Sequence, residues 1–422
     1  MTDMTDMTDS RDLTGLTVAL RERVYKKLDE AEDTDTFNDV SDEELIRLIN
    51  EELYRECRDK MLSVAQKEVL RDNVFFSIRG LDVLECMLSD DSITEIMVNG
   101  PGDIFIERAG RMERSSLRFE SQKRLEDTAE RIASRSNRIV NTRSPILDTR
   151  LENGSRVNIV LPPVAINGPV ITIRKFYDNP LTIQDLLSMG SITGEAASFL
   201  EDAVKARYNI FISGGTGSGK TTFLNILSEF IPADERVVTI EDSAELKLHN
   251  VDNLIRLEGR GANTEDKNAV RIRDLIKTSL RMRPDRIIVG EVRADEAIDM
   301  LQAYNTGHDG SLSTGHANSA PDMMTRLETM VLMGMDMPVT AVRDQIAAAL
   351  DIVVHLGRIR DKSRKVLEIS EVRRVENGRV KLEPLFKFKE KGERNGVVIG
   401  SLERTQACLE NKGKFEAAGI GI

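Results

Sequence analysis

The chain has 422 residues, of which 31% are charged and 40% are hydrophobic, as expected of a globular protein and not of a disordered or collagen-like one. At about 150 residues per domain, this length predicts two to three domains. Acidic residues outnumber basic ones by 71 to 59, and the net charge of −12 disfavours non-specific nucleic-acid binding, which needs a basic surface.

Residues 1–40 predict an acidic flexible tail. Met-Thr-Asp occurs three times in tandem, and acidic residues cluster between positions 29 and 39 among few apolar ones. The start has neither the basic nor the apolar segment of a secretory signal, and no run approaches the roughly 18 apolar residues of a spanning helix. The three cysteines are far apart, which argues against a disulfide framework and fits a reducing compartment. We therefore expect an internal protein that reaches a membrane only through a partner.

Residues 41–92 predict a small helical module. A capping-box pattern at 41–44 precedes apolar residues that recur at helical spacing, namely Leu45, Leu48, Ile49 and Leu53. Residues 93–177 predict an α+β domain, because short alternating runs separated by glycine turns surround one helix with a single apolar face. That face comprises Leu125, Ala129, Ile132 and Ala133. A polar, proline-containing stretch then predicts a linker at 178–182.

Residues 183–422 predict an α/β domain with a mainly parallel sheet. Apolar runs of strand length alternate with helix-like segments, at Ile210–Ile212, Val237–Ile240, Ile287–Val289 and Ile352–Leu356. Near the end, Asn377-Gly378 lies between two strand-like runs and predicts a type I′ hairpin in an antiparallel C-terminal appendix.

A strand, a glycine-rich loop and a helix follow one another between Asn209 and Leu227. Glycines let backbone N–H groups surround phosphate oxygens, a lysine reaches the β- and γ-phosphates, and a following threonine contacts magnesium. The pattern predicts a nucleotide site, with Thr221 as a magnesium ligand, rather than an ordinary surface loop. The site residues are Gly214, Gly215, Thr216, Gly217, Ser218, Gly219, Lys220, Thr221 and Thr222.

Two later strands end in carboxylates. Glu291 follows an apolar strand and is expected to reach the magnesium–nucleotide complex, both as a catalytic group and as a metal ligand. Glu241 ends another strand and is favoured as the residue that orients or deprotonates the attacking water. Asp242 and Glu245 remain alternatives, as magnesium-water contacts or helix-capping groups.

His316 is one of only four histidines and lies among small polar residues, Ser313, Thr314 and Asn318. Two interpretations stay open, a sensor of the γ-phosphate and a packed polar residue.

These four segments resemble the Walker A, Asp box, Walker B and His box motifs of the secretion ATPase superfamily, which serves type II and type IV secretion and pilus assembly. Further segments resemble the CpaF branch, linked to tight-adherence (Flp-type) pili. They are Val98-Asn-Gly-Pro, Ser144-Pro-Ile, Gly154-Ser-Arg-Val-Asn158, Ile171-Thr-Ile-Arg-Lys-Phe176 and Arg326-Leu-Glu-Thr-Met-Val331. The resemblance covers roughly residues 40 to 400.

The resemblance implies a RecA-like P-loop NTPase domain, preceded by the α+β domain, in a homohexameric ring. ATP and Mg²⁺ are the implied cofactors. The implied partner is an integral membrane platform protein, which places the motor in the cytoplasm at the inner face of the membrane. Arg174 matches a family position that faces the nucleotide and is implied as a catalytic arginine, with Arg143, Arg150 and Arg156 as weaker candidates. The sequence lacks the paired cysteines of relatives that carry a zinc module.

Three other functions compete with an ATPase motor for pilus assembly or secretion. A nucleic-acid translocase shares the same core, but the net charge of −12, only five tyrosines and no tryptophan argue against a strand binder. A GTP switch lacks its Asn-Lys-x-Asp segment. A non-hydrolysing scaffold does not need Lys220, Glu241 and Glu291. The prediction is therefore a motor without a nucleic-acid partner.

Overall fold

The computed structural model describes residues 4–30, 40–56, 62–108, 110–175, 181–260 and 269–421. The chain divides into two compact units, 1–177 and 178–422. The division falls at the start of the predicted linker, of which residues 178–180 lie outside the described part. Thr182 already caps the next helix, since its hydroxyl accepts a hydrogen bond from the N–H of Asp185.

Three helices open the N-terminal unit: α1 (Met4–Glu30), α2 (Asp42–Glu56) and α3 (Val64–Ile78). They share one apolar core, to which α1 contributes Leu16, Leu20 and Val24. The structure thus differs from the predicted tail over residues 4–30. Apolar side chains four residues apart form one stripe along a helix. The average composition of an acidic, polar segment conceals such a stripe. The rest of the predicted tail, residues 1–3 and 31–39, lies outside the described residues.

A six-stranded antiparallel sheet forms the rest of this unit, in the order β3-β2-β1-β6-β5-β4. Two helices, α4 (Leu84–Leu88) and α5 (Gln122–Arg135), pack on this sheet. The apolar face that the sequence predicts for α5 is buried in the contact. Its strands are β1 (Ile93–Asn99), β2 (Ile104–Arg108), β3 (Arg111–Arg114), β4 (Ile146–Arg150), β5 (Arg156–Val160) and β6 (Val170–Arg174). The apolar pattern did not predict β4, in which only Leu147 is buried.

The second unit begins with α6 (Ile183–Ser188) and α7 (Gly194–Lys205) and continues as a wound α/β sheet. Its elements in chain order are β7 (Ile210–Gly214), α8 (Lys220–Ser228), β8 (Arg236–Glu241), β9 (Asn253–Glu258), α9 (Ile272–Ser279), β10 (Arg286–Val289), α10 (Glu296–Tyr304), β11 (Leu312–His316), α11 (Ala320–Gly334) and α12 (Val339–Ala349). The C-terminal part adds β12 (Ile352–Arg358), β13 (Arg364–Glu376), β14 (Arg379–Arg394), β15 (Val397–Arg404) and α13 (Gly413–Ala417).

The nine strands of this unit lie in the order β15-β14-β13-β12-β7-β11-β10-β8-β9. The pairs from β12 to β9 are parallel, whereas β13, β14 and β15 pair antiparallel. Separate apolar cores cover the sheet, and strands β7 and β10 are buried along their whole length, as parallel strands under helices must be. The predicted α/β architecture with an antiparallel appendix is confirmed.

The predicted hairpin joins β13 to β14. Asn377 and Gly378 have φ angles of 51° and 70°, and the flanking residues Glu376 and Arg379 are opposite one another. Positive φ at both central residues is what a type I′ turn requires. None of the helices in the described part of the chain is both long and apolar enough to span a bilayer.

Candidate active site

The glycine-rich loop connects the carboxyl end of β7 to the amino end of α8. A Cβ atom on Gly214 would lie 2.5 Å from the Leu356 carbonyl oxygen and 2.6 Å from Ser218 Oγ, so no larger residue fits without a shift. Gly217 and Gly219 have φ angles of 71° and 93°, in the region that favours glycine. The loop thus brings backbone N–H groups to the positive end of the α8 dipole, where anions bind.

Lys220, the first residue of α8, is 7% exposed. Its Nζ donates a hydrogen bond to the Gly215 carbonyl at 2.9 Å and lies 3.2 Å from His316 Nδ1. An ammonium group only donates, so Nδ1 is the acceptor and Nε2 of His316 carries the ring proton. Ser218 Oγ also donates to the Gly215 carbonyl, at 2.9 Å, and Thr216 borders the opening of the loop. Thr221 is half-buried and Thr222 is exposed in the first turn of the helix.

His316 ends β11, where it pairs with Gly214 of the neighbouring β7. Its Nε2 lies 2.8 Å from Glu291 Oε1, which follows β10 on the other side of β11. Burial lowers the pKa of His316, and the positive charge of Lys220 adds to this, whereas Glu291 opposes it. Three predicted residues therefore meet in a row at the carboxyl edge of the sheet: Lys220, His316 and Glu291.

Glu291 also forms a hydrogen bond with an arginine, Arg293. Its Oε2 accepts a hydrogen bond from Arg293 at 2.8 Å, which is the main cause of the raised pKa of Arg293. The same guanidinium lies 3.5 Å from an oxygen of Asp242. Glu291 Oε1 is buried and has no hydrogen-bond donor of good geometry, so its 2.8 Å approach to the neutral His316 ring is a close polar contact and not an ion pair. A buried carboxylate oxygen with spare acceptor capacity suits a cation or a water molecule.

Glu241 ends β8 and is 4% exposed. Its Oε1 accepts hydrogen bonds from the backbone N–H groups of Glu245 and Leu246, at 2.9 and 3.1 Å. Its Oε2 has only a long hydrogen bond of 3.4 Å from the Leu246 N–H. Burial raises the pKa of Glu241 to about 7, although these hydrogen bonds oppose the rise. A Cβ on Gly290 would lie 2.8 Å from Glu241 Cγ, so Gly290 allows this carboxyl to pack beside the Glu291 segment. The alternative Asp242 is half-exposed and faces Arg293.

A cavity of about 570 Å³ opens beside the loop and is bordered by Gly215, Thr216, His316 and Arg293. This volume lies within the range of small-molecule sites. No group of three or more His, Cys, Asp or Glu side chains in the described part of the chain is arranged to hold a metal. A magnesium ion held by Thr221 and Glu291 would therefore also need oxygens of the nucleotide phosphates, which is how this ion is usually bound.

Arg174 lies in the N-terminal unit, at the end of β6, whereas Lys220, His316 and Glu291 belong to the second unit. It is directly opposite Arg156 on β5, which in turn is opposite Arg150 on β4. Opposed residues of antiparallel strands share a face, so three of the four candidate arginines form one row. The side chain of Arg174 is 61% exposed and lies 3.7 Å from Glu95. Arg143, the fourth candidate, is exposed in the segment before β4.

Two residues near the loop did not emerge from the sequence. Arg364, the first residue of β13, donates through Nε to the Gly217 carbonyl at 2.8 Å. His355 on β12 lies against Ser213, the residue before Gly214. For His355 the sequence does hold a signal, because a histidine inside the apolar run Ile352–Leu356 is unusual. Arg364 had none, because its contact depends on the pairing of strands distant in the sequence.

The fold and the loop define a P-loop ATPase. A family model described as type II/IV secretion system protein matches residues 79–407, and the chain belongs to this family. It is 36% identical over 310 residues to a putative conjugal transfer protein of Mycobacterium tuberculosis, covering 72% of this chain and 87% of the relative. It is 33% identical over 303 residues to the type IV secretion system protein VirB11 of Brucella suis, covering 65% and 84%.

Among solved structures, the chain matches the VirB11 ATPase of the Brucella suis type IV secretion system in complex with sulphate. The identity is 31%, the match covers 68% of this chain and 92% of that chain, and the TM-score is 0.39. The predicted superfamily and enzyme class are confirmed by the family match, and with them nucleotide binding. The CpaF branch is a narrower prediction that these comparisons leave open.

Proposed function

We propose that the protein is a motor that hydrolyses ATP with Mg²⁺ to power pilus assembly or protein secretion across the cell envelope. The observation that carries this proposal is the row Lys220, His316 and Glu291 beside the glycine-rich loop. It combines a cation for phosphate, a polar group that contacts this cation, and a carboxylate at the adjacent strand end. Phosphoryl transfer is catalysed mainly by such positioning and charge.

Residues 214–222 would hold the phosphates through backbone N–H groups and the helix dipole. Lys220 now donates to the Gly215 carbonyl and to His316, and phosphate oxygens are stronger acceptors for an ammonium than either. We therefore propose that Lys220 exchanges these partners for the β- and γ-phosphates. Thr221 and Glu291 would hold Mg²⁺, which supplies charge neutralisation at the phosphates.

Glu241 is proposed as the group that orients or deprotonates the attacking water. A pKa of about 7 makes its carboxylate a proton acceptor suited to neutral pH. Oε1 is occupied by two backbone N–H groups, but Oε2 has only the long contact to Leu246 and retains acceptor capacity. The backbone hydrogen bonds hold the carboxyl in one orientation, as a group that positions water must be held.

His316 is proposed as the sensor of the γ-phosphate. It bridges the lysine expected to bind this phosphate and the carboxylate of Glu291. When Lys220 turns to a phosphate, Nδ1 loses its donor, and when phosphate leaves, the contact returns. The imidazole therefore changes partners with the state of the nucleotide, which is what a sensor requires.

The arginine row of the N-terminal unit supports the proposed role of Arg174. Arginines directly opposite one another in a sheet repel, and a nearby anion offsets this repulsion, as Glu95 opposite Arg174 already does in part at 3.7 Å. Triphosphate is such an anion, and guanidinium groups match it geometrically. We propose Arg174 as the residue that neutralises transition-state charge, with Arg156, Arg150 and Arg143 as alternatives.

The assembly and the partners are also proposals. The CpaF-like segments favour the Flp-type pilus branch, a homohexameric ring, and an integral membrane platform protein as partner. The motor would then work in the cytoplasm, peripheral to the inner face of the membrane. The named relatives, from conjugal transfer and type IV secretion, support a role in transport across the envelope without selecting the branch.

The test uses the purified full chain and measures phosphate release from ATP with and without Mg²⁺. Lys220→Ala is expected to lose hydrolysis, because the β- and γ-phosphates lose their cation. Lys205→Ala, which removes an exposed lysine on α7, is the matched control. Near wild-type turnover in Lys220→Ala contradicts the proposal, and stimulation by single-stranded DNA favours a nucleic-acid translocase.

A further inference from the structure

We infer that Asn225 on α8 is a positioning residue for ATP hydrolysis, which holds the segment that donates hydrogen bonds to the Glu241 carboxyl. This inference rests on the proposed role of Glu241 as the group that orients or deprotonates the attacking water. The backbone at Glu241 is fixed by strand pairing, because β8 lies between β10 and β9. The orientation of its carboxyl depends in addition on the residues after the strand, and Asn225 binds these residues.

Three consecutive backbone N–H groups after β8 donate to side chains of the site and of α8. The N–H groups of Glu245 and Leu246 donate to Glu241 Oε1, at 2.9 and 3.1 Å. The next one, of Lys247, donates to Asn225 Oδ1 at 2.8 Å. Consecutive Cα atoms are only about 3.8 Å apart, so fixing the third N–H group restricts the two before it. Asn225 therefore holds the donors of the Glu241 carboxyl from the adjacent residue.

The segment that carries these donors has irregular backbone. Residues 242–252, all of them described, connect β8 to β9 without forming a helix or a strand. Side chains of α8 and of its capping residue hold this segment, since Glu229 Oε1 accepts the His249 N–H at 2.9 Å, two residues beyond the contact with Asn225. The Asn225 contact is the nearer of these two to the donors of Glu241, so its loss should affect them more.

Packing alone does not explain an asparagine at this position. Asn225 is 7% exposed, and its neighbours in α8, Leu224 and Ile226, are buried apolar residues. Asparagine forms helices less readily than leucine, and burial of its amide costs free energy unless the amide is hydrogen-bonded. The bond from Lys247 supplies that compensation. Lys220 begins the same helix, about 7.5 Å away along its axis, so α8 connects the proposed phosphate site with the donors of Glu241.

The first experiment measures hydrogen exchange at the amides of residues 245–247 in the full chain without nucleotide. Leucine at position 225 has a similar volume and no acceptor, whereas aspartate keeps an oxygen at the same place. We expect Asn225→Leu to raise exchange at these amides at least about tenfold, with β8 unchanged, because the segment opens locally. Asn225→Asp should keep the protection. His249→Ala removes an exposed side chain of the same segment and serves as the control.

The second experiment separates hydrolysis from nucleotide binding. We expect Asn225→Leu to lower kcat at least about tenfold and to change the Kd for a fluorescent ADP analogue less than about threefold, since small misplacements of a catalytic group cost rate. Asn225→Asp should recover most of kcat. In the Glu241→Gln background, Asn225→Leu should slow single-turnover hydrolysis by less than about twofold, because it acts through the same carboxyl.

Several results would overturn the inference. They are unchanged exchange at residues 245–247 in Asn225→Leu, a normal kcat despite faster exchange, an aspartate variant as slow as the leucine variant, and equal losses in both Glu241 backgrounds. If Asn225→Leu does not fold, Asn225→Ala removes the same oxygen without adding apolar volume, and the same outcomes decide. A wild-type protein without ATPase activity would instead refute the proposed function, while the exchange measurement would still test the contact.

Discussion

At the scale of single residues, the candidate site depends on side chains that lie far apart in the chain. Lys220, His316 and Glu291 come from three segments, and they meet because helix α8 begins, and strands β11 and β10 end, at the same edge of the sheet. Parallel strands present their carboxyl ends together, which is why open α/β sheets bind ligands there. The roles of these residues can be separated by substitution.

Glu291→Gln is expected to bind ATP but to hydrolyse it at least about 100-fold more slowly, because the amide keeps the shape of the carboxylate and loses its charge. Filter binding and phosphate release measure the two steps. Glu201→Gln, on the exposed surface of α7, is the control. Loss of nucleotide binding in Glu291→Gln would indicate a structural role.

His316→Ala is expected to bind ATP almost normally and to lose most hydrolysis, because Lys220 and Glu291 lose the group between them. We expect a fall of about 100-fold, comparable to the loss of a positioned polar group. Equilibrium binding and single-turnover hydrolysis check this. A wild-type rate would show that His316 is a packed polar residue.

The raised pKa of Glu241 predicts pH effects on rate and stability. Hydrolysis should increase as pH rises through about 7, because the proposed base must be ionised. In the folded protein the pKa of Glu241 is about 7, above the ordinary value of 4.5. The stability that its protonated carboxyl contributes is therefore fully present below pH 4.5 and is lost as the pH rises through about 7. His316 and His355, whose pKa values are lowered, act with the opposite sign.

Melting temperatures of the wild type and Glu241→Gln between pH 5 and 8 isolate the Glu241 contribution, since the histidines are common to both. The wild type should lose stability relative to the variant as pH rises. A constant difference across this range would contradict the raised pKa.

At the scale of elements, the loop between β7 and α8 predicts unequal effects of two glycine substitutions. Gly214→Ala places a methyl group 2.5 Å from the Leu356 carbonyl, whereas a Cβ on Gly215 has nothing within 4 Å. We expect Gly214→Ala to destabilise the fold by about 1–3 kcal/mol, the usual cost of overpacking. Gly215→Ala should keep its stability. Denaturant unfolding measures both, and equal stabilities would show that β12 can shift away from the loop.

At the scale of the whole molecule, we predict a homohexamer that nucleotide favours. Head-to-tail contacts that close produce rings, and a site completed by a neighbour couples hydrolysis to ring motion. Light scattering after size exclusion, at micromolar protein with ATP and Mg²⁺, should give about six times the chain mass of 47.3 kDa. Lys220→Ala should show a weaker nucleotide response. A single-chain mass under these conditions would contradict the ring.

The sequence by itself determined the features that depend on neighbouring residues. Glycine spacing identified the loop at 214–222, and apolar runs located four strands of the second unit and the helix face of α5. These signals are local because turn chemistry and side-chain periodicity act over a few residues. Local averages also misled, since the acidic composition of residues 1–40 as a whole concealed the apolar stripe of α1.

Only the tertiary structure decided which side chains meet. The strand order β12-β7-β11-β10-β8 is not the chain order, and it places His316 between Lys220 and Glu291 and sets His355 against Ser213. It also aligns Arg150, Arg156 and Arg174 through the register of a second sheet. The physical reason is that contacts across a sheet follow from hydrogen-bond pairing between distant strands, which residue types and spacing do not specify.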